Sequence, residues 1–276
     1  MTQLPLPEPY DFELSTERFR AFGPDLANLW HEGGVLRVVE GRQVRIEAAP
    51  GGVDVEPLDA ATRPVVERLL GLPFDLDGFR AFAAGKPVLA RLEAALRGLR
   101  PPLAPDPFES LVTSITAQQV SLFAAFAVRN RLIERFGISA GRAFAFPTRE
   151  RLAAAREDEL VAAGFSRRKA EYVIALARSD LDLGGLGALP DDEVRERLTA
   201  ERGIGDWTAE WFLARHLARP RAWPAGDLGL RKAAEAFYGE DAPAVGPRLD
   251  PWQNLAAHYL LVGLRYQPSL SAHGST

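Results

Sequence analysis

The sequence predicts an α+β protein: a small N-terminal antiparallel-sheet α+β domain followed by a mostly α-helical helix-hairpin-helix core. Three observations predict it. Short period-two or β-branched runs separated by turn chemistry fall between positions 35 and 56. Four prolines in the eight residues 100–107 cannot continue a helix and mark a boundary. From Phe108 onward the apolar spacing is helical, with no convincing strand.

In chain order, Pro5, Pro7 and Pro9 lead into Tyr10-Asp11-Phe12 and a helix-like run that Pro24 interrupts. Strands are expected at 35–39, 44–48 and 53–56, separated by Glu40-Gly41-Arg42 and Pro50-Gly51-Gly52, which reads as a meander. Helices follow at 64–72 and 76–99, the second broken near Gly85-Lys86-Pro87. This places an α+β domain at 1–100, without a catalytic constellation. In the core, 101–266, helices are expected at 108–136, 149–163, 166–178, 191–199, 206–217, 228–238 and 251–265. Gly164, Gly184-Gly185, Gly203, Gly205 and Gly239 fall near helix ends, where left-handed caps belong. The polar stretch 267–276 is expected to be a disordered tail.

Composition narrows the function classes. With no Cys, the chain has neither disulfides nor Cys-ligated zinc or iron–sulfur clusters, as suits a reducing cytoplasm. No apolar run approaches the roughly 20 residues of a membrane helix, and Met1-Thr2-Gln3-Leu4-Pro5-Leu6-Pro7 lacks the basic start and apolar core of a signal peptide. A cytoplasmic protein without a membrane partner is therefore expected. The formal net charge of −4 argues against nucleic acid only on average, since a local basic face is what phosphates sense. Such a face would draw on Arg, because only Lys86, Lys169 and Lys232 are lysines. His216 and His258 stand isolated, with no second ligand at metal spacing.

Two stretches carry chemistry. In Leu198-Thr199-Ala200-Glu201-Arg202-Gly203-Ile204-Gly205-Asp206-Trp207-Thr208-Ala209, two glycines flank one isoleucine between two helical runs, about 191–217. Glycine allows positive φ and close backbone approach, Ile204 can plug the gap between the helices, and free N–H groups beside a helix N-terminus suit a phosphate. By itself the motif serves an ordinary αα-hairpin equally well. Downstream, Arg221-Ala222-Trp223-Pro224-Ala225-Gly226-Asp227 delivers one Asp to the first turn of a helix. Asp227 reads as an N-cap, which is compatible with a carboxylate preorganised toward developing positive charge.

Hairpin, Gly/Pro loop and Asp some 20 residues on together resemble the helix-hairpin-helix/Gly-Pro-Asp superfamily of DNA base-excision glycosylases, most nearly the 3-methyladenine DNA glycosylase II (AlkA) type. The resemblance spans the whole chain, the N-terminal domain being only supportive. It implies a monofunctional glycosylase hydrolysing the N-glycosidic bond of flipped-out alkylated bases such as 3-methyladenine or 7-methylguanine in double-stranded DNA. It makes Asp227 the catalytic carboxylate and Trp207, Trp211 and Trp252 an aromatic pocket in which a cationic base stacks by cation–π attraction. Trp207 and Trp211, four apart, share a helix face, though each alone reads equally as core. Within Ile115-Thr116-Ala117-Gln118-Gln119-Val120-Ser121, Gln119, with Gln118 beside it, falls where family members insert a wedge into the duplex during base flipping. Glutamine departs there from the leucine associated with the AlkA type.

Phosphate contacts are implied for the amides of Gly203, Ile204, Gly205, Asp206 and Trp207. The resemblance requires no cofactor, but implies a structural Na+ or K+ held by the carbonyls of Thr199, Glu201 and Gly203. Arg167-Arg168-Lys169 is a candidate basic edge. Strand-nicking members carry a Schiff-base lysine where this chain has Trp207, and no Lys lies between Lys169 and Lys232, which points to water as the nucleophile. A monomer is expected. The alternative function is a non-catalytic helix-hairpin-helix DNA-binding protein, and a glycosylase-lyase is disfavoured by the missing lysine.

Overall fold

A five-stranded antiparallel sheet is built from β1 (Thr2–Pro5), β2 (Leu29–His31), β3 (Gly34–Val39), β4 (Arg42–Ala49) and β5 (Gly52–Glu56), in the order β1-β5-β4-β3-β2. The structure is a computed structural model describing residues 1–272, with side-chain surroundings described through Tyr266. The β3–β4 turn is the two-residue loop Glu40-Gly41, both at positive φ (48° and 74°), matching the twist of a hairpin. The expected meander is therefore present, and two strands are added to it. β2 has only three residues, and β1 sits at the edge, where Pro5 costs no ladder hydrogen bond.

The remaining elements are helical except for one hairpin. They are α1 (Phe12–Thr16), α2 (Thr62–Leu69), α3 (Leu76–Ala84), α4 (Pro87–Ala95), α5 (Pro107–Ala117), α6 (Leu122–Phe136), β6 (Ile138–Ala140), β7 (Ala143–Ala145), α7 (Arg149–Ala153), α8 (Glu157–Ala162), α9 (Arg167–Arg178), α10 (Asp191–Thr199), α11 (Asp206–Arg215), α12 (Leu228–Tyr238), α13 (Ala242–Val245) and α14 (Gln253–Ala272). The β6–β7 hairpin corrects the expectation of no strand after Phe108: it covers the second face of β3, so that Leu36 and Val38 bury against Ala143. The predicted helix at 108–136 is two helices, because Gln119 takes φ 56° and Ser121 caps a new start. The run at 149–163 also divides, at Ala154–Arg156. The final helix continues through Ala272 rather than fraying from 267. The rest of the expected tail, 273–276, lies outside the described residues.

Three apolar cores result. The sheet buries Val35, Val44, Ile46, Val53 and Val55 against Val66 and Leu69 of α2. Helices α5 to α11 share a second core. Helices α3 and α4, which sequence grouped with the sheet, instead share a third with α12, α13 and α14. A buried ionic network fastens the sheet to the helices. Glu109 on α5 accepts from Arg37 on β3 and from Arg129 on α6, each at 2.6 Å, and Arg129 also pairs with Asp25. Removing one member of such a network leaves an uncompensated buried charge, at a cost of about 3–5 kcal/mol. Among the described residues no helix is long and apolar enough to cross a membrane.

Candidate active site

The hairpin between α10 and α11 assigns different tasks to its two glycines. Gly203 sits at φ 90°, and a Cβ there would lie 2.2 Å from Cγ of Tyr172, so it supplies both the left-handed turn and the close approach to α9. Gly205 does not share that conformation. It is the extended N-cap of α11 (φ −110°, ψ −179°), and no atom lies within 4 Å of where its Cβ would be. Ile204, 5% exposed, plugs the gap between the helices. Thr208 and Ala209 donate back to the Gly205 carbonyl at 2.9 and 3.0 Å. The N–H groups of Gly205, Asp206 and Trp207 have no acceptor among the described residues, leaving an open, anion-ready helix start.

The loop that carries Asp227 is pinned to the same helix. Glu210 on α11 accepts the Trp223 N–H at 2.9 Å, and Trp223 in turn donates its indole N–H to the Ala242 carbonyl at 3.0 Å. The Asp227 N–H closes a turn on the Pro224 carbonyl at 2.8 Å. Asp227 is indeed the N-cap of α12, its Oδ1 accepting from the Leu230 N–H at 3.0 Å. Its Oδ2 accepts two indole donors, Nε1 of Trp207 at 2.9 Å and Nε1 of Trp211 at 3.0 Å. Three N–H groups thus fix the orientation of one carboxylate.

Asp227 faces a cavity of about 1160 Å³ that is also lined by Trp207, Gln118, Gln119, Arg215, Lys232, His258 and Leu261. The three tryptophans singled out from sequence have three different placements. Trp207 lines the cavity wall. Trp211 is 2% exposed and does not line it, and the Arg215 guanidinium lies 3.5 Å over its ring. Trp252 is not brought to the cavity: it precedes α14 and packs edge-on against Phe79, with ring centroids 6.2 Å apart. From α14, the cavity is lined instead by His258, Leu261, Val262, Leu264 and Arg265.

At the α5–α6 break the two glutamines also separate. Gln118 Nε2 donates to the Gly203 carbonyl at 2.9 Å and to Thr208 Oγ1 at 3.2 Å, tying the break to the hairpin. Gln119 is exposed at the turn, followed by exposed Val120, Leu122 and Phe123, the last 64% exposed.

Comparison with known proteins agrees with this geometry. Residues 112–245 match the HhH-GPD superfamily of base excision DNA repair proteins. The DNA-3-methyladenine glycosylase of Bacillus subtilis (strain 168) is 31% identical over 226 residues, covering 75% of each chain. DNA-3-methyladenine glycosylase 2 of Escherichia coli (strain K12) is 29% identical over 219 residues, 78% of this chain and 76% of the relative. The solved 3-methyladenine DNA-glycosylase from Archaeoglobus fulgidus superposes with a TM-score of 0.85 at 28% identity, over 97% of this chain and 99% of that one. The chain belongs to the HhH-GPD superfamily.

Within this HhH-GPD protein, two further features of the hairpin bear on the implied cation. The Glu201 carbonyl accepts from the Ile204 N–H at 3.1 Å and the Gly203 carbonyl from Gln118, and each retains a second lone pair. With the Thr199 carbonyl at the C-terminus of α10, the donor set is all oxygen and fits a hard monovalent ion. Among the described residues no group of three or more His, Cys, Asp or Glu could hold a metal.

The basic edge at 167–169 is partly committed: Arg167 lies 3.8 Å from Asp158, Lys169 donates to the Thr116 carbonyl at 2.9 Å, and Arg168 is exposed. His216 is structural, its Nδ1 2.9 Å from the Ala104 carbonyl, and burial pushes it down to about 4.

Sequence reasoning missed Arg18 and Arg215 of this HhH-GPD cavity. Arg18 follows α1 in the N-terminal domain and yet lines the cavity. Burial first, then the charge of Arg265, lower its guanidinium to about 10, leaving it charged at neutral pH. Burial, with Arg18 next, pushes Arg215 well below its ordinary value, and its Nε is buried without a hydrogen-bond partner. Neither residue stands in a motif, and only the tertiary arrangement of α1, α11 and α14 brings them to Asp227.

Proposed function

We propose that this protein is a monofunctional DNA glycosylase of base-excision repair that removes alkylated bases of the 3-methyladenine or 7-methylguanine type from double-stranded DNA. The observation that carries the reading is the Asp227 carboxylate, gripped by two indole N–H groups and opening onto a cavity beside a helix-hairpin-helix turn. The names of the relatives support the substrate class, and the solved Schizosaccharomyces pombe 3-methyladenine DNA glycosylase (Mag1), a complex with abasic DNA, supports a DNA partner at 28% identity and a TM-score of 0.57.

The proposed division of labour follows the site. The amides of Gly205, Asp206 and Trp207 at the start of α11 hold a backbone phosphate of the strand, whereas the Ile204 N–H expected to join them is already given to the Glu201 carbonyl. Gln119, with its exposed neighbours, fills the space left by the extruded nucleotide, while Gln118 braces the break against the hairpin. Trp207 packs beside the flipped base. Asp227 faces the sugar and stabilises the positive charge that grows at C1′ as the glycosidic bond lengthens. Water then adds to C1′, because Trp207 stands where a Schiff-base lysine would be. A Na+ or K+ on the carbonyls of Thr199, Glu201 and Gly203 would add positive charge on the phosphate side of the hairpin. We further propose that the protein acts as a monomer in the cytoplasm. The test is release of 3-methyladenine or 7-methylguanine from methylated duplex DNA, without a covalent adduct trapped by borohydride. Salt-dependent duplex binding with no base release would instead favour a non-catalytic binding protein.

A further inference from the structure

Helix α11 grips the loop that carries Asp227 at two places. The indoles of Trp207 and Trp211 hold the Asp227 side chain, and Glu210, between them in sequence, holds the loop's backbone. The Glu210 side chain is 18% exposed, and its two oxygens have different partners. Oε1 accepts from Nε of Arg195 on α10 at 2.5 Å, and Oε2 accepts the Trp223 N–H at 2.9 Å. Arg195 also reaches Asp192 at 2.7 Å. Beyond Trp223 the loop is tightly bonded within itself. Ala225 donates its N–H to the Trp223 carbonyl at 2.7 Å, and Asp227 donates to the Pro224 carbonyl at 2.8 Å. The Trp223 ring is fixed by its bond to the Ala242 carbonyl, and it packs so closely on Gly246 that a Cβ there would lie 2.5 Å from Nε1. A series of short contacts thus runs from α10 through Arg195 and Glu210 to Trp223, and through the turn at 223–227 to Asp227.

We infer that Glu210 is a positioning residue for base excision: through the Trp223 N–H it sets where Asp227 stands relative to the strand held at the start of α11. The inference rests on the glycosylase reading above and deepens it. The open amides of Gly205, Asp206 and Trp207 and the Glu210 carboxylate belong to one helix and lie about one turn apart. The placement of Asp227 relative to the strand is then fixed twice, at its side chain by the indoles and at its backbone by Glu210. A carboxylate stabilises the charge growing at C1′ only if it is already aimed there, and a misplacement of about 1 Å can cost a factor of about 100. The indoles alone would orient Oδ2 while leaving the loop free to shift at Trp223. Glu210 does not line the cavity, so it touches no base and acts on the rate through Asp227. Arg195 holds one oxygen of Glu210 and so turns the other toward Trp223.

The experiment measures duplex Kd and the single-turnover release of 7-methylguanine at saturating protein. Glu210→Ala removes both bonds and is expected to release the base about tenfold or more slowly, the loss expected for a hydrogen bond to a charged group. Its Kd should stay within about threefold of wild type, because no phosphate contact is lost. Glu210→Gln keeps an oxygen for the Trp223 N–H, while Arg195, partly exposed and paired with Asp192, can turn to water. Its rate should therefore stay within about threefold of wild type. Wild-type release by Glu210→Ala would overturn the proposal. A Gln variant as slow as the Ala one would also overturn it, by assigning the effect to the charge pair with Arg195. Parallel loss of rate and affinity, or failure of Glu210→Ala to fold, would make Glu210 a support of the hairpin and count against the proposal equally. No release by the wild-type protein would mean that the glycosylase reading itself fails, and the inference falls with it.

Discussion

Trp211 Nε1 lies 3.0 Å from Asp227 Oδ2, and its ring is sealed from the cavity by Arg215 and its own burial. The structure thus ties Trp211 to Asp227 and does not bring its ring to the cavity wall. Trp211→Phe keeps an aromatic ring but deletes the donor. We predict a 10- to 100-fold lower rate of base release, about 1.4–2.7 kcal/mol of barrier, with duplex affinity changed by less than about threefold. Loss of affinity in step with rate would instead place the ring in the base pocket.

The two glycines of the hairpin should separate stability from binding. Gly203→Ala forces a Cβ to 2.2 Å from Tyr172 at φ 90°, and should cost about 1–3 kcal/mol in denaturant unfolding. Gly205→Ala meets nothing within 4 Å and should fold within about 0.5 kcal/mol of wild type. The added methyl stands at the open amide cluster, however, and should weaken duplex binding. A Gly205→Ala protein that binds duplex as well as wild type would remove the phosphate from this turn.

Gln118 joins the α5–α6 break to the hairpin through the Gly203 carbonyl and Thr208 Oγ1. Removing both bonds in Gln118→Ala should raise the duplex Kd by roughly three- to tenfold, with a smaller effect on the rate at saturating protein. The reverse pattern, a slow rate at unchanged Kd, would place Gln118 at the chemistry.

Acid should destabilise the fold before its carboxylates titrate. His216 is held neutral by burial, with its folded value near 4 against 6.5 when unfolded. Between those values the unfolded chain binds the extra proton, so stability falls as pH drops from 6.5 toward 4, by about 3 kcal/mol at about 1.4 kcal/mol per unit. His258, pushed down by burial and by Arg215, contributes in the same direction. Urea unfolding of wild type and His216→Gln at pH 7.5 and 4.5 checks this; the variant should be less stable at pH 7.5 but show a smaller difference between the two.

The hairpin, the Asp loop and the meander were legible because each depends on residues close in sequence: Gly203 beside Ile204, Asp227 directly after Gly226 and before the helix start at Leu228, Glu40-Gly41 between two β runs. The short strands β2, β6 and β7 were not, since three residues carry no period and owe their strand form to pairing with neighbours. The role of Trp211 was half legible. Its position four after Trp207 gave the shared face, but not that both N–H groups would converge on one oxygen. Trp252 failed because its sequence neighbourhood does not say which core it joins, and Arg18 was invisible because the contact that matters spans some 200 residues of chain.

The most direct test is the rate of base release by Asp227→Asn on methylated duplex DNA, measured with duplex affinity on the same preparation. Asparagine keeps an N-capping oxygen for the Leu230 amide, so the fold should survive. The account predicts that release is lost by a factor of 100 or more, the range seen when a preorganised electrostatic partner is removed, while duplex is still bound. Release at the wild-type rate by a folded, DNA-binding Asp227→Asn protein would contradict it.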